Sequence, residues 1–148
     1  MNSPPSDKPN FDILVIGAGP GGMAAATRGA LKGLKVGLVN GQRLWGNGIH
    51  GAYKSKGMYE LAKDHMVATK PGRGYMPAPG EIDFRQVQIH LVSGAAELES
   101  IYAGQLTMLG ITEIKGLASF VDPHTITVEG QHYTADNMII GTGTRPKW

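Results

Sequence analysis

The chain has 148 residues and a formal net charge of +2, a length typical of one domain and a charge too small to indicate a nucleic-acid partner. It contains no cysteine, which excludes disulfides, thiolate metal sites and cysteine redox chemistry within this sequence. Its five histidines lack metal-ligand spacing, and no apolar run approaches the ~18 residues of a membrane span. We therefore expect no metal, no nucleic acid and no membrane partner.

The first third of the chain predicts a compact βαβ unit. Residues 1–10 are polar and proline-rich, which predicts a short disordered tail on a cytoplasmic protein rather than a signal peptide. An apolar run over 11–16 predicts a buried strand, and a helix follows from Pro20 to about Gly33. A second short strand is predicted over 35–40. About thirty residues is the size of a parallel crossover unit.

The middle of the chain predicts a loop and two helices. Residues 41–51 are predicted as loop and 53–68 as a helix, and the three prolines and three glycines of 69–82 predict an excursion over the surface. Asp83, followed three residues later by Gln86, resembles a capping box and begins a helix that runs to about Leu109. An apolar stripe on this last helix is expected to face the core: Phe84, Val87, Leu91, Ala95, Leu98 and Tyr102.

The end of the chain predicts short strands, over 111–115, 118–121, 125–129, 132–135 and 137–140. Alternation over 125–129 is typical of a half-exposed strand, whereas the apolar run over 137–140 favours a buried strand that returns to a parallel sheet. The predicted fold class is α/β, with a Rossmann-like parallel sheet and a small antiparallel β-meander before the last strand.

The motif Gly17-x-Gly19-x-x-Gly22 lies between the first predicted strand and the first helix. In that context Gly17 permits a tight turn, Gly19 lets the backbone approach a pyrophosphate, and Gly22 lets the helix pack close to the sheet. We include Pro20, inside the same turn, in the binding set. The motif predicts a dinucleotide on the helix N-terminus, and the alternative is a purely structural glycine turn.

Asn40 ends the second predicted strand, where dinucleotide-binding proteins usually carry an acidic residue that accepts hydrogen bonds from the ribose hydroxyls. Its carbonyl oxygen can accept one such bond, without the charge assistance of a carboxylate. The alternative is that Asn40 is a plain turn residue before Gly41.

Three stretches, 11–22, 51–58 and 116–146, resemble the FAD-binding segment of the pyridine nucleotide–disulfide oxidoreductases, the family of dihydrolipoamide dehydrogenase, glutathione reductase, mercuric reductase and soluble transhydrogenase. The third is the most specific, with Phe-Val-Asp-Pro-His-Thr over 120–125 and Ile-Ile-Gly-Thr-Gly-Thr-Arg-Pro over 139–146. The resemblance implies FAD as the cofactor. It places Gly17, Gly19 and Gly22 on the pyrophosphate, the backbone of Ala118 beside adenine, and Thr142 and Gly143 against the cofactor.

The chain departs from this family at the redox disulfide. When Ser55-Lys56 is aligned on the Ser-Lys that follows the family's two cysteines, the cysteine positions fall on Asn47 and Ala52. Lys56 keeps the place of a lysine near the reactive end of the flavin, so the resemblance implies a catalytic and cofactor-binding role for it; the alternative is a solvated helix charge. Soluble transhydrogenase-like members likewise do not use a full disulfide relay and transfer hydride through the flavin itself.

The family continues into a nicotinamide-binding domain and a dimerisation domain, and this sequence holds no second glycine motif. We therefore expect residues 11–148 to be an FAD-binding domain, truncated before the nicotinamide domain, that acts with the remainder of a parent enzyme or with a partner subunit. NAD(P)H is implied for the full-length parent, and a homodimer is one assembly that the resemblance allows. Two alternatives are a non-catalytic nucleotide-binding module and an NAD-only dehydrogenase domain, against which the meander and the 141–143 turn argue.

Overall fold

The computed structural model describes residues 10–70, 72 and 81–144, which form two compact units. The first unit comprises the chain up to Gly46 together with the chain from Ile101 onward, and the second comprises Asn47–Ser100. The predicted tail except Asn10, most of the predicted surface excursion over 69–82, and the Arg-Pro pair at 145–146 lie outside the described residues. Asn10 exchanges hydrogen bonds with Thr134, donating its N–H over 2.9 Å to the hydroxyl and accepting the Thr134 N–H over 3.1 Å.

The described part of the first unit contains one complete helix, the last turns of a second helix given below, and six strands that form a mixed sheet. In chain order the complete helix and the strands are β1 (Phe11–Ile16), α1 (Pro20–Leu31), β2 (Val36–Asn40), β3 (Thr112–Lys115), β4 (Ala118–Asp122), β5 (Thr125–Val128) and β6 (Gln131–Ile140). The strand order is β3-β2-β1-β6-β5-β4. Strands β3, β2, β1 and the second half of β6 are parallel, and β4 and β5 extend the sheet in antiparallel fashion. The predicted fold class is confirmed.

The last strand differs from its prediction in length and burial. The two segments predicted over 132–135 and 137–140 form the single strand β6, which pairs with β5 through its first half and with β1 through its second. Asp136, which lies between them, is exposed and forms part of the strand. The return to the parallel sheet is correct, but the expected burial is not, because Ile140 is 66% exposed and Ala135 is the one buried residue of the strand.

The core of this unit lies on both faces of β1 and β2. Successive strand residues point to opposite faces, so the fully buried neighbours Leu14 and Val15 belong to two different apolar clusters. The cluster around Val15 includes Met23 of α1, and the cluster around Leu14 includes Ile126 of β5. A central parallel strand buried on both sides explains why the sequence of β1 is almost continuously apolar.

The second unit is helical. A π-helix over Gly48–Tyr53 leads directly into α2 (Lys54–Ala68), and the long helix α3 (Phe84–Met108) contributes its residues up to Ser100. The π-helix corrects the prediction of a loop over 41–51. Asp83 caps α3 as expected, because its Oδ1 accepts the N–H of Arg85 over 2.9 Å and that of Gln86 over 3.2 Å.

The apolar stripe predicted on α3 is only partly buried. Leu91 and Ala95 are buried, whereas Phe84 at the start of the helix is 57% exposed. The neighbouring α2 has no buried residue in the described chain. Across residues 10–70, 72 and 81–144, none of the helices combines the length and the apolar character that crossing a bilayer requires. Those same residues contain no cluster of three His, Asp or Glu side chains that could hold a metal ion.

Candidate functional site

The glycine turn after β1 is built by close backbone packing. Gly17 has a φ of +107°, which disfavours any residue with a Cβ, and its N–H donates to the Val39 carbonyl over 2.9 Å. An added Cβ there would lie 2.7 Å from the Gly141 carbonyl carbon and 2.9 Å from the Thr142 Cα. At Gly22 an added Cβ would overlap the Gly17 carbonyl oxygen. Gly17 and Gly22 are therefore required by the fold, whether or not a ligand binds.

Gly19 differs from these two glycines, because its surroundings are open. An added Cβ would meet nothing within 4 Å, and the φ of −73° is one that any residue adopts. Gly19 is the N-cap of α1, with Pro20 immediately after it, no side-chain cap and no acidic residue in the first turn. The backbone N–H groups of that turn therefore have no side-chain cap at the positive end of the helix dipole, and the space beside Gly19 is open, an arrangement suited to a phosphate group.

The carboxyl end of β2 lies beside this turn, since Gly17 is bonded to Val39. Asn40 is buried, its Oδ1 accepts the N–H of Gln42 over 3.3 Å, and its Nδ2 donates to Oε1 of Glu113 over 2.9 Å. Its backbone carbonyl accepts the Gly116 N–H over 3.0 Å, two residues before Ala118 begins β4. This region brings the predicted ribose and adenine positions together.

Two further predicted residues follow β6. The N–H of Gly141 donates to the Ile16 carbonyl over 2.8 Å, which aligns the end of β6 with the glycine turn. Thr142 and Gly143 come next; both are exposed, and Gly143 has a φ of +77°. In total the structure brings eight of the predicted residues to the carboxyl ends of β1, β2 and β6 and to the start of β4: Gly17, Gly19, Pro20, Gly22, Asn40, Ala118, Thr142 and Gly143.

Lys56 belongs to the second unit. It is exposed in the first turn of α2 and lines a cavity of about 580 Å³, whose wall also includes Glu60, Asp64 and His90. Of the two positions aligned with the family's cysteines, Asn47 is the N-cap of the π-helix that leads into α2, and Ala52 lies within that π-helix. Single π-helical turns are frequent at functional sites.

Trp45 and Glu113 are features of the site that the sequence did not reveal. Trp45 has a φ of +62°, an outlier for a bulky residue, and its N–H donates to the Ala18 carbonyl over 2.6 Å. Its ring packs on Tyr102 with centroids 4.4 Å apart, so the loop after β2 is fixed beside the glycine turn. No local pattern marks a tryptophan for a left-handed conformation, and none pairs Glu113 with Asn40 across two strands.

A parallel sheet with a glycine turn that opens α1 at the carboxyl ends of its strands defines a Rossmann-like α/β protein. The family model for the pyridine nucleotide-disulphide oxidoreductases matches residues 11–148. The chain belongs to that family.

Known proteins similar to the chain agree with this assignment. The dihydrolipoyl dehydrogenase of Bacillus subtilis is 37% identical over 146 residues, covering 91% of this chain and 30% of that protein. The glutathione reductase of Nostoc sp. is 30% identical over 139 residues, covering 93% of this chain and again 30% of that protein. A solved structure, the HOCl-induced flavoprotein disulfide reductase RclA from Escherichia coli, shares the fold with a TM-score of 0.77 and 21% identity, covering 93% of this chain and 29% of that one. The chain thus spans about a third or less of the length of these relatives.

Proposed function

We propose that this chain binds FAD, as the N-terminal part of a cytoplasmic NAD(P)H-dependent flavin oxidoreductase that does not use a redox disulfide. The observation that carries the proposal is the open backbone at Gly19, held beside two glycines that the fold itself requires. Gly19 has no side chain and lies at the start of a 12-residue helix. The positive end of the helix dipole and N–H groups without a side-chain cap are therefore found at the same place. These are the requirements of a pyrophosphate site.

Each predicted residue has a distinct part in this proposal. The first turn of α1, from Gly19 through Gly22, would donate backbone hydrogen bonds to the pyrophosphate. Pro20 suits the first helical position because it has no N–H that would need a partner there. The backbone at Ala118 would contact adenine, and Asn40 lies where the adenosine ribose is expected. Thr142 and Gly143 would lie against the cofactor beyond the pyrophosphate. RclA, whose fold this chain shares, is a flavoprotein, which supports flavin as the cofactor class.

The redox part of the proposal follows from the missing cysteines. Because Asn47 and Ala52 cannot form a disulfide, electrons would pass from the nicotinamide to the acceptor through the flavin, whose ring accepts and donates hydride when bound. Lys56 would place a cation near the reactive end of the ring. The nicotinamide site would come from the remainder of a parent enzyme or from a partner subunit, and a homodimer is one assembly that the family resemblance allows.

Substitution of Gly19 tests the cofactor site directly. The Gly19→Val variant should fold, because the added side chain enters open space at an extended φ, and should lose FAD because that space is the proposed pyrophosphate position. Losing two charge-assisted hydrogen bonds of ~1.5 kcal/mol each weakens binding on the order of 100-fold. FAD affinity is measured from the change in flavin fluorescence on titration with the purified chain.

The matched control is Gly104→Val in α3, because Gly104 also has nothing within 4 Å of an added Cβ and belongs to the first unit. Its FAD affinity should equal that of the unchanged chain. Retained affinity in Gly19→Val would show that the pyrophosphate does not bind at this turn.

A second candidate function is a non-catalytic nucleotide-binding module. It is favoured by Asn40, which is neutral and whose carboxamide already bonds to Gln42 and Glu113. Anaerobic titration of the FAD-loaded parent enzyme with NADH and with NADPH separates the two functions. Bleaching of the flavin absorption by either nucleotide supports the oxidoreductase. If neither nucleotide bleaches the flavin, the binding module is favoured.

A further inference from the structure

The end of β2 lacks the charged acceptor that dinucleotide-binding proteins usually place beside the adenosine ribose. The two ribose hydroxyls donate hydrogen bonds, and a carboxylate at this position normally accepts them. In this chain the position holds Asn40, whose side chain is uncharged.

The carboxamide of Asn40 is oriented by its two partners. Its Oδ1 accepts the backbone N–H of Gln42 over 3.3 Å, and its Nδ2 donates to Oε1 of Glu113 over 2.9 Å. The opposite amide orientation would place the oxygen against a carboxylate and the NH₂ against a backbone N–H, so the orientation is fixed. The acceptor atom of Asn40 is therefore turned towards its own loop, and its donor holds the acid.

Glu113 lies on β3, the strand adjacent to β2, in register with Leu38. Its side chain reaches from there to Asn40, two residues further along β2. It is half-buried, and Asn40 is its hydrogen-bond partner among the residues that the structure describes. A carboxylate offers about four lone-pair sites, so one bond from Asn40 leaves enough capacity for two hydroxyl donors.

The surroundings place this carboxylate at the proposed site. Val39, the residue before Asn40, accepts the N–H of Gly17 in the glycine turn over 2.9 Å. On the other side, the Asn40 carbonyl accepts the Gly116 N–H over 3.0 Å, in the connection that leads to Ala118. Asn40 and the carboxylate of Glu113 therefore lie between the proposed pyrophosphate and adenine positions, where the ribose of the same nucleotide must lie.

We infer that Glu113 supplies the acceptor for the adenosine ribose hydroxyls, and that Asn40 is a positioning residue that orients the Glu113 carboxylate. The inference rests on the proposed FAD site. It explains how that site would select a ribose that carries both hydroxyl groups. In this chain the carboxylate would be supplied by β3 and not by the end of β2. The site would thus keep the charge-assisted hydrogen bonds that Asn40 alone would not provide.

The test combines a change in the protein with a change in the ligand. FAD bound to the purified chain is displaced with ADP or with 2′,3′-dideoxy-ADP, which lacks both hydroxyls. The unchanged chain should bind ADP about tenfold or more tightly than the dideoxy form, as expected for charge-assisted bonds. In Glu113→Gln this preference should fall to about two- to threefold, while affinity for the dideoxy form stays unchanged.

Two further variants separate recognition from structure. Glu97→Gln, an exposed acid on α3 in the second unit, is the control and should keep the full preference for ADP. The double variant Asn40→Asp with Glu113→Gln should regain it, because the acid returns to the end of β2. Thermal melting of each variant checks that the fold is intact.

The outcomes of this experiment are distinct. An equal preference for ADP in the unchanged chain and in Glu113→Gln would overturn the role of Glu113 and leave the FAD site standing. An equal loss of affinity for both nucleotides in Glu113→Gln would also overturn it, since that pattern reports a structural defect. Failure of the unchanged chain to bind FAD would overturn both proposals together.

Discussion

Replacing Gly22 with alanine should destabilise the first unit severely, because the added methyl group has no room. Its Cβ would overlap the Gly17 carbonyl oxygen and lie 2.9 Å from the Gly17 carbonyl carbon. Carbon atoms pack favourably at ~3.5–4.0 Å, so the two segments must separate by at least about 0.6 Å. Both groups are backbone, and the turn is anchored by the hydrogen bond from Gly17 to Val39, so neither can rotate aside as a side chain would.

The expected cost is above the ~1–3 kcal/mol typical of overpacked side chains, and we expect a loss of roughly 3–5 kcal/mol in the free energy of unfolding. A domain has only ~5–15 kcal/mol in total. Urea denaturation followed by far-ultraviolet circular dichroism measures the loss. Gly21→Ala is the control, because Gly21 is one residue earlier in α1 with nothing within 4 Å of an added Cβ, and it should gain up to ~1 kcal/mol. If the two variants unfold within ~1 kcal/mol of each other, the packing described for the glycine turn is wrong.

Three further predictions concern the fold around the site. Asp83→Ala should cost about 1 kcal/mol through loss of the α3 cap, and Asp83→Asn should restore most of it in thermal melts; equal melting of all three proteins would contradict the capping role. Leu14→Ala should cost ~2–5 kcal/mol in urea denaturation because Leu14 is fully buried, whereas Leu117→Ala at 74% exposure should stay within ~0.5 kcal/mol, and equal costs would refute the assigned core. The backbone N–H of His124 donates to Asp122 and lowers the pKa of that carboxyl from 3.8, so its stabilising contribution is present above pH 3.8 and is lost as pH falls through the lower folded value. A folded-state carboxyl titration by nuclear magnetic resonance at or above 3.8 would contradict that assignment.

The sequence predicted the elements whose signals are local. The apolar run over 11–16, Pro20 at the start of the first helix and Asp83 before α3 each specify an element within a few residues. Those predictions agree with β1, α1 and α3 to within one or two residues. The parallel arrangement followed because a βαβ unit of this length admits no other simple pairing.

The features that the sequence did not predict depend on contacts between distant residues. The single strand β6 forms because β1 and β5 pair with it at opposite ends, although Asp136 in the middle suggested a break. The contact between Glu113 and Asn40 joins positions 73 residues apart. The left-handed backbone at Trp45 is maintained by its bond to Ala18, against the intrinsic preference of tryptophan.

The candidate site likewise contains some features that the sequence predicts and others that depend on contacts between distant residues. The glycine motif was predicted from its residue types and the role of the 141–143 turn from the family resemblance, and the structure brings Gly17 and Gly141 close together. The burial of Asn40 and the direction of its carboxamide could not be read from its position at the end of a strand. Those two facts identify Glu113 as a candidate ligand.

The central claim is that this chain holds FAD at the glycine turn after β1. The most direct measurement is to incubate the purified chain with FAD, remove unbound cofactor by gel filtration and record the visible absorption of the protein fraction. We predict a flavin spectrum that co-elutes with the chain and is released on heating, and its near absence in Gly19→Val. A colourless protein fraction for the unchanged, folded chain would contradict the claim.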